Sequence, residues 1–242
     1  MTLRLSRFKL LYRGFRDTIL LVPGWATDYR IFSNLDLDFN YLIPIKFSAL
    51  DFERRLITAL KRNRLDKIFI FGWSMGSFLA LDFASRHSGI VNYPVFIASA
   101  RKRYEKNSIE NIKFYLRRNR VGYLYKFYRE CFSKKERKAL NWFRENLLKS
   151  YLNQMSLDSL VEGLDYLSGA RIKPECLTRM RISFIHGKED RIAPIGEALE
   201  IAESLPHAEF ITMEGVGHMP FLSSDFKKLL HTTHAREKYT DK

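Results

Sequence analysis

A serine, a carboxylate and a histidine, each in a distinctive local setting, carry the chemistry this sequence can do. Ser74 is the centre of Gly72-Trp73-Ser74-Met75-Gly76, which follows the apolar run IFIF and precedes the helical pattern SFLALDFA. A GxSxG between strand and helix makes a strained turn that holds the serine oxygen exposed, and its glycines remove side chains that would clash. Ser74 is therefore the candidate nucleophile. A hydroxyl is a poor nucleophile near neutral pH and needs a base oriented by a carboxylate. His218, in EGVGHMPF, is the candidate base, and Asp190, in IHGKEDRIAP, the candidate acid; each sits in a loop just after a predicted strand. Glu189 competes with Asp190 but is expected to face solvent. Of the other histidines, His231 and His234 lie in the tail, His87 and His207 at element ends, and His186 in an HG turn that shapes the acid loop. Acyl transfer also needs donors aimed at a developing oxyanion. The candidates are the N–H of Met75 and the N–H of Trp25, in Pro23-Gly24-Trp25 after the apolar run TILLV, with the Trp25 ring lining the pocket.

Short apolar runs alternating with helical patterns must position these residues, and that alternation is the habit of an α/β fold with a mostly parallel sheet. Strands are predicted at residues 3–12, 18–22, 41–45, 67–71, 93–98, 182–186 and 209–213. Helices are predicted at 52–63, 74–87, 194–204 and 220–230, where apolar residues recur at three and four. Residues 101–170 show only amphipathic helical stretches, at 109–118, 123–132, 134–151 and 157–167. The expected organisation is thus a core built from 1–100 and 171–242, with helices on both sheet faces, and an all-helical cap inserted at 101–170. The tail after His231 is expected to fray.

The chain has 242 residues, 46% hydrophobic and 14% aromatic, which excludes a disordered or fibrous protein because a full core can be buried. Cys131 and Cys176 make neither a CxxC pair nor a zinc-ligand spacing, so no metal or other cofactor is expected and a reducing cytoplasm is the expected compartment. The N-terminal stretch MTLRLSRFKLLYRGFR interrupts its apolar residues with Arg or Lys too often for a signal peptide or a membrane span. Strand alternation accounts for the same residues as an Arg-rich transit peptide would. The net charge of +14 would attract polyanions, acidic proteins or membrane surfaces. Residues 101–180 hold 19 basic and 9 acidic side chains, so most of the excess falls in the helical stretch. No nucleic-acid-binding module accompanies it, so nucleic acid is not an expected partner.

The order Ser74, Asp190, His218 and its strand–turn–helix setting resemble the α/β-hydrolases. PGWATDYRIF, GWSMG, GLDYL, HGKEDRIAP and GVGHMPFLS are similar to motifs of the BioH-like pimeloyl-[acyl carrier protein] methyl ester carboxylesterases of biotin synthesis. The resemblance implies a serine carboxylesterase with Ser74, Asp190 and His218 as its triad and Trp25 and Met75 around the oxyanion. It also implies an acyl channel lined in part by Phe127, Tyr128 and Cys131. Acyl carrier protein bearing a pimeloyl methyl ester would be the partner, docked on Lys113, Arg117, Arg118, Arg120, Lys126 and Arg129, of which Lys113, Arg117 and Arg120 fall at helical spacings of one face. A monomer is expected. Pro23 stands where the family has histidine, and residues 40–51 lack the DLPGFGxS stretch. Two alternatives keep the scaffold: an esterase, thioesterase or lactonase for small soluble acyl substrates, and a basic binding protein on an inactive hydrolase frame.

Overall fold

The computed structural model describes residues 7–230, so residues 3–6 of the first predicted strand and the tail after His231 lie outside the described residues. Seven strands form one sheet in the order β1-β3-β2-β4-β5-β6-β7. They are β1 (Arg7–Leu11), β2 (Thr18–Val22), β3 (Asn40–Lys46), β4 (Phe69–Trp73), β5 (Val95–Ala98), β6 (Ile182–Gly187) and β7 (Ala208–Met213). Only β1 runs antiparallel to its neighbour. Every residue of β2, β4, β5 and β6 is buried. Successive strand side chains point to opposite faces, so full burial means that both faces are covered, which is why these segments read as unbroken apolar runs rather than alternating ones.

Helix α1 (Phe52–Arg62) buries the stripe Phe52, Leu56 and Leu60, with Glu53 in its first turn and Lys61 and Arg62 in its last, each placed to suit the helix dipole. Helix α2 (Met75–Arg86) is buried along most of its length and packs on β4 and β5. Helix α8 (Ile195–Glu203) packs on β6 and β7. Between β5 and β6 come α3 (Lys106–Arg118), α4 (Arg120–Glu130), α5 (Arg137–Phe143), α6 (Lys149–Gln154) and α7 (Leu157–Gly169). The helix predicted at 134–151 is α5 and α6 joined by a π-helical stretch at Arg144–Leu148, and it runs on to Gln154.

The helix predicted at 220–230 is not continuous. A 3₁₀ turn at Pro220–Leu222 gives way to extended backbone at Ser223, and helix resumes at residues 226–230. Phe221 and Phe226 both pack their rings on Phe71, at 5.9 and 5.5 Å. Residues five apart on a regular helix point about 140° away from each other, so the break lets both rings reach the same core residue.

In a parallel sheet all carboxyl ends lie along one edge. The loops after β2, β4, β6 and β7, which carry Trp25, Ser74, Asp190 and His218, therefore converge there, as ligand sites of open α/β sheets do.

Candidate active site

Ser74 leaves β4 with φ 54° and ψ −118°, a left-handed conformation that side chains rarely adopt. The backbone is that tight because α2 is pressed onto the loop after β2: a Cβ on Gly76 would stand 2.3 Å from the Val22 carbonyl oxygen. Strain of this kind typically costs about 1–3 kcal/mol and persists only where its surroundings over-determine it. Here Ser74 N–H donates to Ala98 O at 3.0 Å and Ser77 N–H to Ser74 O at 2.9 Å.

The three predicted side chains meet. His218 Nε2 lies 2.9 Å from Ser74 Oγ, and His218 Nδ1 lies 2.8 Å from Asp190 Oδ2. His218 and the Asp190 carboxyl are closed to solvent and Ser74 is 8% exposed. Asp190 Oδ1 accepts the N–H groups of Ile192 and Ala193 at 2.8 and 2.9 Å. Burial by itself would raise the Asp190 pKa; the charge and hydrogen bond of His218, with His186 and the Ala193 N–H, outweigh it and hold the carboxyl below its ordinary range. His186 shapes the acid loop as expected, with Nε2 2.8 Å from Ala193 O, and burial lowers its pKa. Glu189 does not simply face solvent: Oε1 lies 3.6 Å from Lys135 Nζ, while Oε2 is buried without a hydrogen-bond partner.

His218 is held by its backbone as well as its ring. Its carbonyl accepts Trp73 Nε1–H at 2.7 Å and Ser99 Oγ–H at 2.9 Å, and its N–H donates to Cys131 O at 2.8 Å. Trp73 stands in plain view in the GWSMG motif, but its role depends on a partner 145 residues away. Tyr104 also escaped the sequence reading. Burial, against the pull of the Arg101 charge and the Ser74 side chain, pushes its hydroxyl pKa up to about 12, so it stays neutral.

On the oxyanion side, Met75 opens α2, so no intrahelical carbonyl can take its N–H. The loop carrying Trp25 runs close by: a Cβ on Gly24 would stand 3.1 Å from Ser74 Cβ. The Trp25 ring is pinned, with Nε1–H donating to Leu160 O at 2.9 Å and its centroid 5.0 Å from that of Phe127 in an edge-to-face pair. A cavity of about 230 Å³ opens here, lined by Trp25, Met75, Ser48, Gln154, Glu162 and Gly163 among others. A larger cavity, about 650 Å³, lies between α2 and the segment after α7 and touches none of Ser74, Asp190 and His218.

Two readings of the helical stretch need correction. Of the predicted acyl-channel residues, only Phe127 reaches the Trp25 ring. Tyr128 and Cys131 are buried, 1% and 0% exposed, and present no channel surface; Tyr128 spends its hydroxyl on Ala26 O and Cys131 its carbonyl on His218. Of the six proposed docking cations, Lys113, Arg117 and Arg120 do not share the one face expected of them. Lys113 is buried between Asp165 and Glu110, each 2.6 Å from its Nζ. Arg120 donates to Leu152 O at 2.9 Å and to Met155 O. The helical spacing of Lys113, Arg117 and Arg120 fails because Asn119 ends α3 and caps α4. Arg117, Arg118, Lys126 and Arg129 remain exposed, Lys126 lying 3.8 Å from Glu130. Among the described residues no His, Cys, Asp or Glu cluster is placed to hold a metal, and no helix is long and apolar enough to cross a membrane.

Comparison with known proteins agrees with this architecture. The model of the alpha/beta hydrolase family matches residues 9–230. The chain is 22% identical over 219 residues to the AB hydrolase superfamily protein YisY of Bacillus subtilis (strain 168), covering 86% of this chain and 76% of that protein. Among solved structures it superimposes on a bromoperoxidase from Bacillus anthracis with a TM-score of 0.79 at 16% identity, covering 94% of each chain. It superimposes on an esterase from Exiguobacterium antarcticum with a TM-score of 0.76 at 15% identity, covering 98% of this chain and 96% of the esterase.

Proposed function

The chain belongs to the alpha/beta hydrolase family, and on that premise we propose that it is a serine carboxylesterase. The observation that carries the proposal is the unbroken hydrogen-bond chain Ser74–His218–Asp190 at the carboxyl edge of the sheet. His218 Nε2 takes the Ser74 proton as Oγ attacks the ester carbonyl carbon. The oxygen gains negative charge beside the Met75 and Trp25 N–H groups, and Asp190 stabilises the imidazolium. Collapse of the tetrahedral species expels the alcohol, which takes the proton from His218. Water, activated by the same imidazole, then attacks the acyl-serine, releasing the carboxylic acid and restoring Ser74.

Residues 101–170 act in this reading as a cap. Leu160 and Gly163 of α7 back the Trp25 ring, Phe127 and Tyr128 of α4 hold Trp25 and Ala26, and residues 131–136 brace the base loop. The specific substrate proposed is the methyl ester of a pimeloyl chain on acyl carrier protein, an acidic partner that the exposed Arg117, Arg118, Lys126 and Arg129 would attract. A second reading, hydrolysis of small soluble esters, is favoured by the cavity at the oxyanion side: about 230 Å³ lies below the range of roughly 300–1,000 Å³ usual for drug-sized ligands.

The test is hydrolysis of pimeloyl-[acyl carrier protein] methyl ester beside a short aryl ester, with Ser74→Ala as control. Preference for the carrier-linked ester supports the first substrate and turnover of the aryl ester alone supports the second. Failure of a fluorophosphonate probe to label Ser74 in folded protein would return the chain to a non-catalytic binding role.

A further inference from the structure

Between α4 and α5 the chain lies against the loop that follows β7, and the two segments are joined at consecutive residues. Glu136 Oε2 accepts two backbone donors, Ser133 N–H at 2.7 Å and Gly217 N–H at 2.8 Å. One residue on, His218 N–H donates to Cys131 O, and Ser133 Oγ–H donates to Gly215 O. The approach is close enough that a Cβ on Gly217 would stand 2.5 Å from Cys131 O and 3.0 Å from Glu136 Oε2. Glycine is obligatory there, and glycine leaves the peptide ahead of His218 with the widest conformational freedom of any residue. The sheet side restrains the His218 carbonyl through Trp73 and Ser99 and the Val216 carbonyl through the Glu189 N–H at 2.9 Å, while the segment from Cys131 to Glu136 takes the N–H groups of Gly217 and His218.

We propose that Glu136, which is remote from the reacting atoms, is a positioning residue for His218, locking Gly217 so that Nε2 stays on line with Ser74 Oγ. The proposal rests on the reading of His218 as the general base. A carboxyl suits the task because one oxygen can accept both N–H groups at once, with the strength that charge lends such bonds. Its other oxygen, Oε1, is buried without a hydrogen-bond partner, as is Oε2 of Glu189. The groups around the carboxyl are Glu189, with Lys135 on its outer oxygen, the buried Cys131 thiol and, beyond them, the His218–Asp190 pair. Glutamine is the conservative replacement: its carbonyl oxygen can accept both N–H groups, and its amide supplies the donor that the orphaned carboxylate oxygens lack. Alanine removes the acceptor altogether.

The experiment compares wild type, E136Q and E136A in hydrolysis of p-nitrophenyl acetate and in the rate of Ser74 labelling by a fluorophosphonate, with folding checked by circular dichroism. E136A should lower kcat about 10- to 100-fold with KM within about threefold, because a base displaced by a fraction of an ångström to an ångström costs rate rather than binding. Labelling should slow in parallel, and E136Q should restore kcat to within about threefold of wild type. If E136A does not fold, E136D replaces it, since its shorter side chain draws back from Gly217 while keeping the acid. Wild-type kcat in folded E136A or E136D, or equal losses in E136Q and in the variant that removes the contact, overturns the role of Glu136. Absence of Ser74 labelling in the wild type overturns instead the hydrolase reading and the proposal with it. Labelled wild type with unaffected variants removes only Glu136.

Discussion

Replacing Asp190 by asparagine should disable the base while leaving its geometry almost intact, and the structure supplies the reason. Oδ1 accepts two main-chain N–H groups, from Ile192 at 2.8 Å and Ala193 at 2.9 Å, while Oδ2 faces His218 Nδ1 at 2.8 Å. In D190N the amide oxygen must stay at the Oδ1 position, because turning the NH₂ there would set it against two buried donors. Leaving those donors unsatisfied costs about 1–3 kcal/mol each, so the pinned orientation is favoured by about 2–6 kcal/mol. The NH₂ then points at Nδ1, which must accept, and the imidazole proton moves to Nε2, facing Ser74 Oγ where a lone pair is needed. At about 1.4 kcal/mol per factor of ten, restoring the productive tautomer costs between about 30-fold and about 20,000-fold in kcat. Loss of the charge that stabilises the imidazolium pushes the expected value toward the upper end. The assay is steady-state hydrolysis of an aryl ester by D190N beside wild type, with thermal unfolding of both. A folded D190N enzyme within tenfold of wild-type kcat would refute the argument. The pH dependence has a definite sign. The Asp190 carboxyl is held below its ordinary range in the fold, so its contribution to stability is present above the unfolded pKa of about 3.9 and is lost as pH falls through the lower folded value. The stability advantage of wild type over D190N should therefore be full at pH 7 and fade below about pH 4.

Ser74→Ala and His218→Ala should each lower turnover by about three to six orders of magnitude without unfolding the protein, and retained activity in either would overturn its assigned role. Gly76→Ala should lower the unfolding temperature sharply, since its Cβ would stand 2.3 Å from Val22 O and 2.7 Å from Pro23 O, a backbone clash that costs about 1–3 kcal/mol or more; an unchanged melting temperature would contradict the close packing of α2 on the β2 loop. Burial and then the charge of Glu189 raise the Glu136 pKa against the pull of its N–H donors, so Glu136 contributes its stability fully below the unfolded pKa of about 4.3 and loses it as pH rises through the folded value. E136Q should accordingly melt higher than wild type at pH 8 and equally at pH 4, a gap that differential scanning calorimetry can read. Iodoacetamide should modify exposed Cys176 and spare Cys131, which is buried and whose thiol burial keeps protonated; mass spectrometry showing Cys131 modified in native protein would contradict its burial.

The alternation of apolar runs and helical patterns was enough to place the parallel strands, and GWSMG with the loops holding Asp190 and His218 was enough to bring out the three candidate residues in their chain order. Those features are local. A strained turn needs its glycines in adjacent positions, and a parallel sheet covered on both faces needs unbroken apolar strands, so both leave marks within a few residues. Where each predicted group ends up depended on packing between distant segments. Trp73 meets the His218 carbonyl across 145 residues, Ser99 across 119, and Glu136 meets Gly217 across 81. Lys113 and Arg120 looked like exposed cations by their helical spacing, yet Asp165 and Glu110 neutralise the first and the carbonyls of Leu152 and Met155 take up the second. Tyr128 and Cys131 read as channel lining and became braces for the Trp25 and His218 loops. The sequence by itself determined which groups can do chemistry and on which elements they ride. Only the tertiary structure decided which neighbours hold them to a productive geometry, because burial and hydrogen bonding between remote segments follow from how the helices settle on the sheet, and no periodicity records that.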